Sequence, residues 1–181
     1  VITTSTDADV NLFLSNPALL DSANDNHVSW YYLGFYADVK YNTFAYAKTF
    51  EKAGTFGISV QHLGYGTIDS YDISGNTMGT FDANETAVVI SHSHQLSVFR
   101  LGANLKYAHS GIYTFNSSAL ALDIGGVFIH PDKELMFSIL FKNLGFVVSD
   151  YSETSDSSLP SDLQLGLTFK PEHMPFRFSF T

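Results

Sequence analysis

The chain has 181 residues, enough for one sizeable domain, and only 15% of them are charged against ~25% in a typical soluble domain. A formal net charge of −9 argues against a basic nucleic-acid-binding surface. The absence of cysteine excludes disulfide scaffolds, thiol catalysis and cysteine-based zinc sites.

The first segment stands apart from the rest. Asp7-Ala8-Asp9-Val10-Asn11-Leu12-Phe13-Leu14 predicts a short helix with Asp7 or Asp9 as N-cap, and Pro17 ends it by disfavouring helical backbone at Asn16. Val1–Asn26 is therefore read as an N-terminal helical or plug segment, followed by a β-domain over 27–181. The 16 Phe and 10 Tyr favour pleated sheet. Strands are predicted at Val28–Tyr36, Asn42–Phe50, Thr55–Leu63, Thr86–Leu96, Phe99–His109, Ser117–Phe128, Leu135–Lys142, Asp162–Phe169 and from Phe176 onward. Each has roughly the ~9–11 residues of a tilted membrane-spanning strand. The chain opens at Val1 without a Met and stops at Thr181 inside a strand pattern, so further sequence is expected at both ends.

The connections alternate in length. Glu51–Gly54, the reversal near Ser97, His130–Lys133 and Lys170–Pro175 are short. Gly64–Asn84, Ser110–Asn116 and Asn143–Ser161 are long, and Ala37–Tyr41 falls with them by parity. In an up-and-down meander every second connection lies at one end, so this sorting is the layout of an outer-membrane barrel. A soluble sandwich, the competing all-β reading, has no reason to sort its loops this way. The acidic residues Asp69, Asp72, Asp82 and Glu85, then Asp150, Glu153, Asp156 and Asp162, read as solvated loops without EF-hand spacing. No apolar run reaches the ~18 residues of a transmembrane helix.

Phe99–Tyr107 carries the sharpest pattern: apolar residues at the odd positions, polar residues or glycine at most even ones. Ser117–Phe128, Asp162–Phe169 and the Phe176–Thr181 end repeat it. With an outer wall in lipid, Leu101, Leu105, Leu120, Leu122, Ile124, Leu165 and Leu167 are lipid-facing candidates. Arg100, Asn104, Lys106, Asp123 and Gln164 are then lumen-facing, with Asp123 paired to Arg100 or Lys106. Val88-Val89-Ile90 is apolar on both faces, which suggests a partly apolar or plugged interior. Tyr31, Tyr32, Phe35, Tyr36, Tyr41, Phe50, Tyr65, Tyr107, Tyr113 and Tyr151 crowd strand ends, as an interfacial aromatic girdle would.

Candidate chemistry is sparse. His92 and His94 share a strand face and could supply two metal ligands, with His62 in a neighbouring strand, but no third ligand is specified and a structural role is the simpler reading. No Gly-x-Ser-x-Gly elbow and no phosphate-binding glycine loop is present. We expect no enzyme activity, no cofactor and no metal.

Asn16-Pro17-Ala18-Leu19, Tyr36-Ala37-Asp38, Phe44-Ala45-Tyr46-Ala47-Lys48, Phe141-Lys142-Asn143-Leu144-Gly145 and Met174-Pro175-Phe176-Arg177-Phe178, taken in that order, resemble the PorV/PorQ group. These are outer-membrane proteins of the FadL-like barrel superfamily, and the likeness is to the PorQ-like branch of the Bacteroidota type IX secretion system. The resemblance spans almost all of the chain. It implies an all-β, antiparallel up-and-down transmembrane barrel of about fourteen strands, with roughly eight or nine covered here. It further implies a non-enzymatic scaffold in the bacterial outer membrane, anchoring surface machinery that handles secreted cargo. The partners implied are membrane lipid and a PorZ-like protein, alongside PorU and PorV, with no nucleic acid. A FadL-like carrier of hydrophobic compounds is the alternative.

Overall fold

A computed structural model describes residues 8–152 and 157–181. Nine strands form one antiparallel sheet in strict up-and-down order: β1 (Val28–Gly34), β2 (Lys40–Phe50), β3 (Gly54–Tyr71), β4 (Thr77–Leu96), β5 (Phe99–Ile112), β6 (Phe115–Ile129), β7 (Leu135–Ser149), β8 (Asp162–Phe169) and β9 (Phe178–Phe180). Every predicted strand has its counterpart. β1 and β9 form the two edges and do not pair with each other, so the sheet is open across the described residues. Among those residues no helix is long and apolar enough to cross a membrane, which says nothing about crossing by strands.

The long loops expected from the sequence are shorter than predicted. Thr67–Asp82 is mostly a continuation of β3 and β4, closed by a tight turn at Asp72–Asn76. Strand β7 runs past Asn143 to Ser149, and Tyr113-Thr114 alone separates β5 from β6. Polar composition concealed the β3–β4 extension, because a two-stranded ribbon open to water on both faces needs no alternating apolar residues, whereas on β7 the polar Lys142-Asn143 bulge hid an apolar continuation.

The short helix predicted over Asp7–Leu14 is a 3-10 helix at Val10–Leu14, and two further 3-10 turns follow it at Pro17–Leu19 and Ser22–Asn24. Each begins at a short polar residue whose side chain accepts an N–H two positions on: Asp9 from Asn11, Asn16 from Ala18, and Asp21 from Ala23. The alternative cap, Asp7, lies outside the described residues, as do Glu153 and Asp156 of the second acidic group.

This segment lies on one face of the sheet and forms its core. Phe13, Val10 and Leu20 pack against Ala45, Ala47 and Val89, while Ala18 and Leu19 pack against Val127 and Met136. Small residues on the strands make the room. A Cβ at Gly57 would press on the Phe13 ring, and one at Gly102 would sit 2.5 Å from the Pro17 carbonyl carbon. Val89 is the inward member of Val88-Val89-Ile90, so that doubly apolar run marks where the segment docks.

Candidate functional site

The sheet has two unlike faces, and strand alternation assigns every residue to one of them. On the face turned away from the N-terminal segment, Leu101 and Leu105 of β5 pair with Gly126 and Leu122 of β6. Ile124 pairs with Phe141 of β7, and Ile139 with Leu165 of β8. Ile58 and Ile90 continue the wall across β3 and β4. Leu105 and Leu165 are 53% and 63% exposed. All seven outward candidates (Leu101, Leu105, Leu120, Leu122, Ile124, Leu165 and Leu167) lie on this face, with Leu120 and Leu167 half-buried by neighbours.

The opposite face carries Arg100, Asn104, Lys106, Asp123 and Gln164, together with the N-terminal segment. Its centre is Asp123, 0% exposed. Lys106 Nζ lies 2.7 Å from Asp123 Oδ1, and the backbone N–H of Asn143 donates to the same oxygen at 2.8 Å. Asn104 Nδ2 donates to Asp123 Oδ2 at 3.4 Å and to the Phe13 carbonyl at 2.8 Å, which joins the carboxylate to the docked segment. Of the two partners considered for Asp123, Lys106 is the one that pairs. Arg100 turns instead to Asp21, with Nη1 3.0 Å from Oδ2, and ties down the end of the N-terminal segment. Gln164 lies apart from this group and donates to Asp162 on its own strand.

Asn143 is the member that sequence reasoning missed. Between Leu122↔Leu144 and Ile124↔Phe141 the register shifts, so Asp123 faces two residues, Lys142 and Asn143. Asn143 takes φ 56°, a left-handed conformation that asparagine tolerates better than most residues. The bulge aims its N–H at the carboxylate, and its side-chain oxygen accepts from Lys106 at 2.5 Å. A polar Lys-Asn pair interrupting an apolar strand shortly before Gly145 was the available signal.

Above this site the inner face opens into a recess of about 240 Å³, lined by Tyr41, Gln61, Leu63, Glu85, Ser110 and Ser117 among others. Tyrosines expected in an outer girdle serve this side instead. Tyr41 donates to Gln61 at 3.0 Å, Tyr65 to Glu85 at 2.9 Å, and Tyr151 to Ser110 at 2.6 Å. A hydroxyl with a polar partner across the sheet gains more by facing it than by facing the apolar wall.

The histidines do not converge. His92 Nε2 contacts the Ala53 carbonyl at 2.7 Å and its ring lies against Phe56, while His62 Nδ1 meets Thr86 Oγ1 at 2.9 Å. Among the described residues no three His, Asp or Glu side chains gather where a metal could sit.

In the turn regions, the Asp25 carboxyl is held below the usual carboxylate range, chiefly by the Thr49 N–H at 2.7 Å and further by Lys48 at 3.4 Å. Asp72 is likewise lowered, first by the side chain and then by the backbone N–H of Asn76. Together the elements define an all-β, single-sheet meander with one apolar face and one polar face seated on its own N-terminal segment. No family model and no curated protein matches the chain significantly.

Proposed function

We propose that this chain is part of a non-enzymatic outer-membrane β-barrel, a PorQ-like component of a type IX secretion system that anchors surface machinery handling secreted cargo. The observation that carries the membrane placement is the face turned away from the N-terminal segment. It is an apolar wall from β3 to β8, interrupted on β4 by the outward His92 and His94, whereas the opposite face carries small and polar residues around Asp123 and is occupied by the N-terminal segment. From Phe99 to Tyr107 the wall covers about 27 Å along the strand at ~3.4 Å per residue, or about 21 Å at a tilt of ~40°, near the ~25 Å apolar band of such barrels. In lipid the free edges of β1 and β9 would need pairing, because unsatisfied backbone groups cannot face hydrocarbon. Further strands closing the sheet are part of this reading. The assignment to type IX secretion, and to PorZ-like, PorU and PorV partners, rests on the sequence resemblance.

Fractionation tests the membrane placement. The protein should stay with outer membranes through an alkaline wash and need detergent to dissolve. Release into buffer as a stable monomer refutes it. Co-purification with a large surface protein then supports the scaffold. Detergent-soluble protein that speeds uptake of a fatty acid supports the FadL-like carrier, which the seated N-terminal segment favours as a plug and the Ser- and Thr-rich inner face disfavours as a greasy path.

A further inference from the structure

Strands β3 and β4 outrun their neighbours. The β2–β3 ladder ends at Lys40↔Gly64 and the β4–β5 ladder at Ala83↔Ile112, but β3 and β4 stay paired from Thr67↔Asp82 to Tyr71↔Thr77. The result is a two-stranded arm whose two outer edges pair with no other strand among the described residues. Its base is braced by the Phe81–Tyr113 ring contact at 6.0 Å and by the Tyr113 N–H donating to the Asp82 carbonyl. Its tip is ordered by Asp72, which accepts the N–H groups of Ser74 and Asn76, both at 2.8 Å, with Gly75 at φ 84° completing the turn.

We propose that this arm is a strand-addition site for a basic, extended segment of a partner protein. Free strand edges are templates for pairing, and proteins usually blunt them with lysine or proline. This arm has neither: no Lys, Arg or Pro occurs anywhere in 53–99. It also exposes apolar side chains that no described residue covers, with Ile73 at 107%, Met78 at 70% and Tyr71 at 59%. Charge selects the occupant. Asp69 and Asp82 lie on the two strands and Asp72 at the tip, so a second copy of the arm would set carboxylates against carboxylates. An anionic membrane surface is repelled for the same reason. An extended segment with basic residues at alternate positions places each one toward the Asp69 and Asp82 side while its backbone completes the ladder and its apolar residues meet Ile68 or Phe81 on the other face. An arm already ordered at base and tip loses little entropy on binding. The inference goes beyond the anchoring role proposed above and stands on the arm's geometry whether or not the wall lies in lipid.

The test uses the detergent-solubilised protein and two acetylated probe peptides, (Val-Lys)4 and (Val-Glu)4, with amide hydrogen exchange read along the chain. With (Val-Lys)4, exchange across 67–71 and 77–82 should slow by about tenfold or more while β5 and β6 are unchanged. The Asp69→Lys/Asp82→Lys variant should reverse the preference, and the milder Asp69→Lys should weaken (Val-Lys)4 binding if the double variant disturbs the arm. No protection of the arm, or equal protection by both peptides, overturns the proposal. So does protection that appears without peptide as protein concentration rises, or on adding vesicles of phosphatidylglycerol.

Discussion

Gly102 offers the most direct check on how the N-terminal segment is held. A Cβ built there lies 2.5 Å from the Pro17 carbonyl carbon and 2.6 Å from the Ala18 nitrogen, both backbone atoms that cannot rotate away. Comfortable contact begins near ~3.5 Å, so Gly102→Ala must push sheet and segment apart by about 1 Å, an overpacking strain of about 1–3 kcal/mol. Burial of Phe13, Leu19 and Leu20 contributes roughly 1.5–3 kcal/mol each, more than that strain, so the alanine variant should keep the segment docked. Gly102→Phe exceeds the limit and should release it. Gly126→Ala is the control: it lies on the next strand but faces outward, where a Cβ meets only the side-chain methyl groups of Ile139 and Leu101 at 3.3 and 3.4 Å. Both alanine variants share the same gain from restricting the unfolded chain, so their difference isolates the clash. Unfolding by urea in detergent micelles should place Gly102→Ala about 1–3 kcal/mol below Gly126→Ala. Limited proteolysis should find a new cleavage near Asp25-Asn26 only in Gly102→Phe. Equal stability of the two alanine variants would refute the docking argument.

The inner ion pair should show strong coupling. Asp123→Asn or Lys106→Met alone each leaves a buried partner unmatched and should cost about 3–5 kcal/mol, whereas the double variant should recover much of it in a double-mutant cycle. On the outer wall Leu122→Arg should cost about 2–4 kcal/mol in lipid vesicles if it lies near the midplane, and refolding yield across an arginine scan of β5 and β6 maps that depth. Acid should weaken the tie between Asp25 and strand β2. The Asp25 carboxyl is lowered in the folded state, so its contribution is complete above the ordinary carboxylate pKa and is lost as pH falls through the folded value. The stability gap between the native protein and Asp25→Asn should therefore narrow from neutral to acid pH, and a gap independent of pH would contradict the pairing.

Much of the wall was legible because it is a local property. The alternation in Phe99–Tyr107 and Asp162–Phe169 fixes which residues share a face, since successive side chains on a strand point to opposite sides. Elements with no such pattern were misread. The β3–β4 arm looks like loop because water surrounds it, and the helix expected over Asp7–Leu14 is a single 3-10 turn, Val10–Leu14, fitted to the sheet beneath it. The tyrosines show the same limit. Tyr41 and Tyr151 sit at strand ends as an interfacial girdle would, but their hydroxyls find Gln61 and Ser110 on the inner side.

The sequence by itself determined the strands, their antiparallel succession and the division between an apolar and a polar face, because each follows from neighbours a few residues apart. Tertiary structure alone decided what the polar face holds. Asn16-Pro17-Ala18 comes to rest on Gly102 and Gly125, on β5 and β6 at the middle of the sheet, four and five strands along from β1. Asp123 takes Lys106 over Arg100 because, on the same face of β5, Lys106 is two residues from the Asn104 opposite Asp123 and Arg100 four, and Arg100 is beside Asp21 of the docked segment. Asn143 joins them only because a register shift turns its N–H inward. Those choices depend on distances across strands, which the order of residues along one strand does not encode.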